Sequence, residues 1–590
     1  MCCGTPGAGG CGAPRAPETL ALAGQACPLC VSQLNPRFEK NEPKNFYPIT
    51  AGCRTLHAGR FLWLRRTFFR LSKIYRKVPR MPHYILLNRR AGLFTDAAKH
   101  ASRATVATAL SRLAPHAKIH ADHNPSDPLA RRVVVFEADA AHVDTVRPQL
   151  PTHTLVEELE FHAAHARHPT FLRTSKPQPP HASARHFTAS VVSGRTKLQG
   201  VPVTVFFADA AGHHTYTQAM TDGDGLVSVP VPPGHSIAVA QPTPYAGYWP
   251  MVAEAPATGA AINCPAVPHA GPDGDGWWHH IMGVNTAAGH RGRGIKVGVI
   301  DTGCGPHRNL AHVNRIGAFT GGRFQTGALA AADVSDHGTH TTGIIGARPS
   351  KHGDYAGMAP DCTLFHIRVF KDETPKGIPS SADLVNAIDA LSRDHGCDLI
   401  NMSLGAKRHT LAVQDAIRDA AERGTMCICS AGNDAGAVEY PAAYPDCAAV
   451  SAIGQLGCAP PGSLSASFRP HPRPMHGRDH LFLAAFSCIG EPGAKPLTCC
   501  GPGVGIISTV PDRLGISDRY VPMDGTSMAS PAVCGALAVI LGRDPGYKVL
   551  PRDETRTRAA RDALIGHCHS IGMGAQLVGH GLPHAGSARA

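Results

Sequence analysis

No run of 18 apolar residues occurs in the 590-residue chain, which removes an ordinary membrane-spanning helix. The opening "MCCGTPGAGGCGAP" lacks a basic segment leading into an apolar one, so no secretory signal is read and a soluble, cytoplasmic protein is expected. The zinc-peptidase pattern H-E-x-x-H is missing. Cys27 and Cys30 form a lone C-x-x-C with no second pair to complete four ligands, so neither metal nor cofactor is expected. The 19 cysteines are odd in number and cannot all pair; Cys427 and Cys429, in apolar text, read as buried free thiols. The net charge of +13 is spread along the chain apart from "WLRRTFFRLSKIYRKVPR" at 63–80, which reads as a solvated arm, so no nucleic-acid partner is expected.

What is present is a globular composition, 43% hydrophobic, punctuated by 62 Gly and 50 Pro. Recognisably foldable text begins at Met81, leaving 1–80 as a poorly structured extension. Residues 81–170 read as β-α-β-β-α-β: strands "HYILLN" (83–88), near 117–120, "RRVVVFE" (131–137) and 153–161, with helices near 96–113 and 139–147. A Pro-rich linker spans 171–186, and short alternating apolar segments at 187–268 read as a small β-sandwich with a hairpin at "DGDG". Asp222 and Asp224 in that turn lack the rest of a calcium loop. From 274 to 582, apolar strands alternate with helices, which predicts an α/β domain whose parallel sheet is covered on both faces. One such helix is "SADLVNAIDALSRDHGC", with Leu384, Ile388 and Leu391 on one face and Ser381 as its cap.

Four positions in that last domain carry chemistry. Asp301 ends the buried strand "IKVGVID", where ligands gather in parallel sheets. His337 opens a small-residue helix in "SDHGTHTTGIIGA"; His340 nearby would make a metal pair, but a positioned base fits better. Asn433 follows the strand ending "CSAGN", where its amide can donate to an oxyanion. Ser527, in "MDGTSMASPAVCG", starts a buried helix, so the helix's positive end faces whatever its hydroxyl attacks. Together they supply nucleophile, base, orienter and oxyanion donor.

The segments "VIDTG", "HGTHTTGIIGA", "NMSLG", "AGND" and "GTSMASPAVCGALA" resemble the subtilisin family (S8) of serine peptidases over roughly 276–580. The order Asp, His, Ser is the one general accounts of that triad give for subtilisin. The resemblance implies a subtilisin-like α/β fold and a serine endopeptidase acting on polypeptides, with Asp301, His337 and Ser527 as triad and Asn433 as oxyanion donor. It also implies that Ser403, Leu404 and Gly405, with Ser430, Ala431 and Gly432, wall the first specificity pocket. Residues 81 to about 165 resemble the family's inhibitor-like propeptide, which implies an intramolecular inhibitor removed by autoprocessing; residues 187–265 are similar to carboxypeptidase-associated sandwiches.

Asp336 and Ala406 stand where glycines are usual, and the loop after His337 lacks the carboxylate-rich insertion that binds calcium in many relatives. Cys304 would answer to thiol reagents if it borders the cleft, Met528 beside the nucleophile predicts peroxide sensitivity, and the insertion at 457–482 reads as a surface loop. Two other readings stay open on sequence: a catalytically silent protease-fold scaffold, and another hydrolase class. The second would want G-x-S-x-G, where Ala529 stands instead, or a glutamate in place of His337. With histidine there, activity at neutral or alkaline pH is expected.

Overall fold

Alternation along "HYILLN" sorts its side chains between two cores. The computed structural model describes residues 81–586 apart from 91, 94, 164–175, 178–184, 372–377, 471–479, 492, 494–495 and 513–518; Cys27, Cys30 and the 63–80 run lie outside them. Strands β1 (His83–Asn88), β2 (Ala117–His123), β3 (Val133–Ala138) and β4 (His153–Glu157) form an antiparallel sheet in the order β2-β3-β1-β4. Tyr84, Leu86, Val134 and Phe136 face helices α1 (Asp96–Leu113) and α2 (Ala140–Val146), whereas Ile85, Leu87, Val133 and Val135 face the C-terminal domain. The expected last strand, 153–161, stops at Glu157 because the chain changes partner. The Leu159 N–H donates to Ser381 Oγ (3.0 Å), Ser381 N to Leu159 O (2.9 Å) and Phe161 N to Pro379 O (3.0 Å). A two-residue strand β5 (His162–Ala163) follows.

Residues 186–263 contribute two facing sheets around Phe187, Val191, Val203, Val205, Phe207, Val227 and Val229. Part of the expected linker is an edge strand, with Lys176 and Pro177 paired in parallel with Thr215 and Tyr216. The "DGDG" segment is a turn in which Asp222 Oδ1 accepts from the N–H groups of Asp224 and Leu226, each at 2.9 Å. It is not a hairpin: strands 214–220 and 226–230 belong to different sheets. The insertion at 457–482 is not a free surface loop either, because Gly462 and Leu464 bond the backbone at 250–252 and Phe468 is buried in the main core.

The C-terminal domain holds a nine-stranded sheet. Seven strands run parallel in the order β7 (Asn314–Thr320), β8 (Thr363–Arg368), β6 (Lys296–Asp301), β9 (Leu399–Met402), β11 (Met426–Ser430), β12 (Cys447–Gln455), β13 (Cys499–Pro502), with antiparallel additions at 323–325 and 481–483. The tiny strand β10 (Leu404–Gly405) pairs with β5 instead. Val297, Val299 and Leu399 point toward α3 (His337–Gly346) and α6 (Thr526–Arg543); Ile300 and Ile400 point toward α4 (Ser381–Asp389) and α5 (Leu411–Glu422). Among the described residues, α6 alone is a helix long and apolar enough to cross a membrane, and it is buried as the core helix. Leu384, Ile388 and Leu391 are fully buried as their spacing predicts. The cap of α4 is Ser380 and not Ser381: Asp383 N donates to Ser380 Oγ, and Ser380 N donates back to Asp383 Oδ2, each at 3.3 Å.

Buried charge joins the N-terminal sheet to α4 and α5. The Arg131 guanidinium, without solvent exposure, donates to both Asp389 oxygens (2.7 and 2.6 Å) and to Asp415 Oδ2 (3.1 Å), while Arg90 and Arg423 meet Asp419 at 3.5 and 2.7 Å. Burial opposes ionisation of Asp389, but the guanidiniums of Arg131 and Arg423 outweigh it and hold the carboxyl below its usual range. Removing one partner of such a cluster strands the others in a dry site. Arg131→Ala, in a Ser527→Ala background that stops self-cleavage, is expected to cost about 3–5 kcal/mol in urea unfolding.

Candidate active site

Strand β6 delivers Asp301 at its carboxyl end, and α3 begins at His337. His337 Nδ1 and Asp301 Oδ1 are 2.6 Å apart, with both side chains 1% exposed. The other carboxylate oxygen accepts from Thr341 Oγ1 (3.0 Å), and Oδ1 also accepts from Thr302 N (2.7 Å). Burial by itself would raise the Asp301 carboxyl; the imidazole beside it and these hydrogen bonds more than compensate, and the group stays below its usual range. The imidazole therefore carries its proton on Nδ1, an assignment made from the hydrogen bond. His340 is not part of this site: its Nε2 meets Val521 O at 3.0 Å, and burial pushes it down to about 3, which keeps it neutral.

The start of α3 is held by a residue that the sequence reading passed over. Buried Asp333 accepts from Thr302 Oγ1 (2.8 Å), Ser335 N (3.0 Å), Thr339 N (2.7 Å) and Thr339 Oγ1 (2.6 Å). It does a cap's work from four residues before His337, because Asp336, with φ 67°, is left-handed and its side chain makes no capping bond. That backbone conformation is why glycine suits position 336. The spacing D-x-x-x-H was the available signal.

Ser527 lies in the first turn of α6, which packs beside α3. Its hydroxyl donates to Ser403 O (3.1 Å), and Ser403 Oγ donates to Ser527 O (3.0 Å). Ser403 Oγ in turn accepts from Asn401 Nδ2 (3.0 Å), and Asn401 Oδ1 accepts from Ser530 Oγ (2.5 Å), so β9 and α6 are laced together around the serine. Asn433 is oriented by Thr526, whose N–H and Oγ1 both donate to Asn433 Oδ1 (2.9 Å each); Thr526 Oγ1 also accepts from Gly432 N (3.2 Å). These two bonds fix which end of the amide is the oxygen.

Leu404 and Gly405 follow the carboxyl end of β9, and Ala431 and Gly432 follow that of the neighbouring β11, which ends at Ser430. Strand β5 pairs with them, Gly405 with His162 and Leu404 with Ala163, antiparallel, and Phe161 is fully buried just upstream. Cys304 is buried, and burial lifts its thiol to about 11, so it offers no thiolate to a reagent. Met528 is fully buried, and peroxide reaches it only through local opening.

The residue pattern of the Subtilase family matches residues 292–574. Subtilisin DY of Bacillus licheniformis is 30% identical over 295 residues, 49% of this chain and 90% of that protein. The chain belongs to the subtilase family. The major intracellular serine protease of Bacillus subtilis (strain 168) is 31% identical to this subtilase over 265 residues, covering 43% and 70% of the two chains, and subtilisin Savinase of Lederbergia lenta is 29% identical over 315, covering 52% and 97%. This subtilase is accordingly a subtilisin-like serine endopeptidase.

Among the described residues of the subtilase, one group of His, Cys, Asp or Glu could bring three donors to a metal: His83, His120 and Glu137, within 4.8 Å of one another on the N-terminal sheet. The two imidazoles stack with ring centroids 4.8 Å apart and planes at 26°. At the candidate active site, Thr526→Val would remove the hydroxyl donor to Asn433 and the acceptor for Gly432, leaving the backbone N–H of residue 526 as the remaining donor to Asn433 Oδ1. It is expected to lower kcat about tenfold with little change in KM, since the resemblance implies that Asn433 donates to the oxyanion and such a donor acts in the transition state; steady-state kinetics on a peptide substrate checks this.

Proposed function

We propose that this subtilase cleaves peptide bonds by attack of Ser527 Oγ, with His337 as base, Asp301 as its orienter, and Asn433 and the Ser527 N–H as oxyanion donors. The observation that carries this reading is the buried 2.6 Å contact between His337 Nδ1 and Asp301, in the same domain as a serine at the mouth of a buried helix. The Ser527 hydroxyl must exchange its bond to Ser403 O for one to His337 Nε2. An extended substrate drives that exchange, because the residue opposite Ser403 brings its own N–H to the Ser403 carbonyl. His337 then returns the proton to the leaving amine, and water repeats the cycle on the acyl-enzyme.

Residues 81–170 act, in this proposal, as an intramolecular inhibitor that the enzyme cuts from itself. Support comes from β5, which pairs with Leu404 and Gly405, one residue along from the carbonyl that Ser527 contacts. Continuing that register carries the chain past the serine and puts the scissile bond within about four residues after Ala163, a stretch that ends in Arg167. A reducing, cytoplasmic setting is also proposed; the described cysteines stand as free thiols, nearly all buried.

Ser527→Ala and His337→Ala are each expected to lower kcat about 10⁶-fold, and Asn433→Ala about 10²–10³-fold. A fluorophosphonate probe should label the purified protein and not its Ser527→Ala counterpart; equal labelling of both, or of neither, rejects the triad. N-terminal sequencing should find the active species beginning between residues 164 and 168 and Ser527→Ala uncut. Identical processing of both would make the cut another protease's.

A further inference from the structure

Between 404–405 and 430–432, the walls of the proposed substrate groove, lies Glu439, a buried carboxylate that forms no ion pair with a cation of the peptidase domain among the described residues. Its side chain is 4% exposed, and its backbone N–H bonds Ala431 O (2.9 Å), which fixes it behind the 430–432 wall. The side chain then crosses beneath the groove. A Cβ built on Gly405 would overlap the Glu439 carboxylate, and one on Gly432 would meet Glu439 Cγ at 2.9 Å. Both walls are glycine where the carboxylate passes, and it lies between them as the pocket's floor.

The neighbouring charges show which carboxylate is satisfied. Asp434 pairs with Lys407 at the rim and accepts from Cys488 Sγ and Gly436 N, each at 3.0 Å. Glu439 has a close cationic neighbour in His162, whose Nε2 lies 3.3 Å from Oε2, and the pairing raises that imidazole above its ordinary value. His162 belongs to β5, the strand that lies in the groove in a substrate's place. When β5 leaves, its counter-charge leaves too, and a buried carboxylate without a partner is costly.

We infer that Glu439 makes this enzyme select a cationic side chain, arginine or lysine, at the residue whose carbonyl Ser527 attacks. That residue stands opposite Ser403, two places beyond the one opposite Gly405, where His162 is; side chains two apart share a face of a strand. The pocket floored by Glu439 therefore receives the attacked residue's side chain, and His162 reaches the same carboxylate from two places upstream. A long cationic side chain restores the ion pair with charge-assisted hydrogen bonds, whereas an apolar one leaves the carboxylate buried and unmet.

The inference rests on the proposed active site, and the test separates the two. Matched peptides differing at the attacked residue (Arg, Lys, Leu, Phe) are assayed with mature enzyme and with Glu439→Gln, each first titrated with a fluorophosphonate to count active serines. The cationic peptides are expected to exceed the apolar ones in kcat/KM by about 10²-fold, and Glu439→Gln to erase the gap by weakening the first pair and raising the second. In parallel, a peptide aldehyde ending in arginine should inhibit the wild-type enzyme more tightly than one ending in leucine, a readout independent of the variant's folding. Labelled enzyme that prefers Leu or Phe, or a cationic preference that survives Glu439→Gln, overturns the inference while leaving the triad standing. Enzyme that never labels overturns both.

Discussion

The buried contact between Asp301 and His337 is what the surrounding structure is arranged to hold. A carboxylate inside a protein is tolerated only with donors around it, and here there are three: the imidazole of α3, the Thr341 hydroxyl one turn later, and Thr302 N. That geometry exists only if α3 begins at the carboxyl end of β6. Asp333 ensures it by gathering Thr302, Ser335 and Thr339 around a single carboxylate. Gly338 is part of the same constraint, since any Cβ there would strike the Gly303 backbone.

The same rule governs the junction between the N-terminal sheet and the peptidase domain. Arg131 is fully enclosed, and the three aspartates that enclose it sit on α4 and α5, so the two parts are paired by charge as well as by the apolar contacts of Ile85, Val133 and Phe161. Apolar contact supplies adhesion without direction, whereas a guanidinium answered by fixed carboxylates admits one register. That register carries the chain after Glu157 into the groove and lays His162 and Ala163 beside Leu404 and Gly405. A helix cap is involved as well, because Ser381 next to the true cap Ser380 exchanges hydrogen bonds with Leu159.

Much of this was legible in the residues. Alternating strands and helices from residue 274 predict the parallel sheet, and Asp301, His337, Asn433 and Ser527 each fall where a strand ends or a helix starts. Legibility failed where a local pattern had two outcomes and a distant partner chose between them. Text that reads as strand through 161 leaves its sheet at Glu157 for the edge of another domain. The linker's Lys176 and Pro177 become an edge strand because Thr215 and Tyr216 present an open ladder. At Ser380 and Ser381 two adjacent serines offered the same chemistry, and the reciprocal bond to Asp383 selected the first.

The sequence by itself determined the α/β character of the peptidase domain, the order of Asp301, His337, Asn433 and Ser527 along it and the family to which it belongs, because periodicity and short motifs are local properties. Only the tertiary structure decided that Asp333 anchors α3, that Thr526 orients Asn433 and that Arg131 pairs the N-terminal sheet with α4 and α5. It alone brought Glu439 between two glycine walls. The physical reason is the same in each case: the cost of burying a polar group depends on which partners surround it, and those partners lie from a few to hundreds of residues away along the chain.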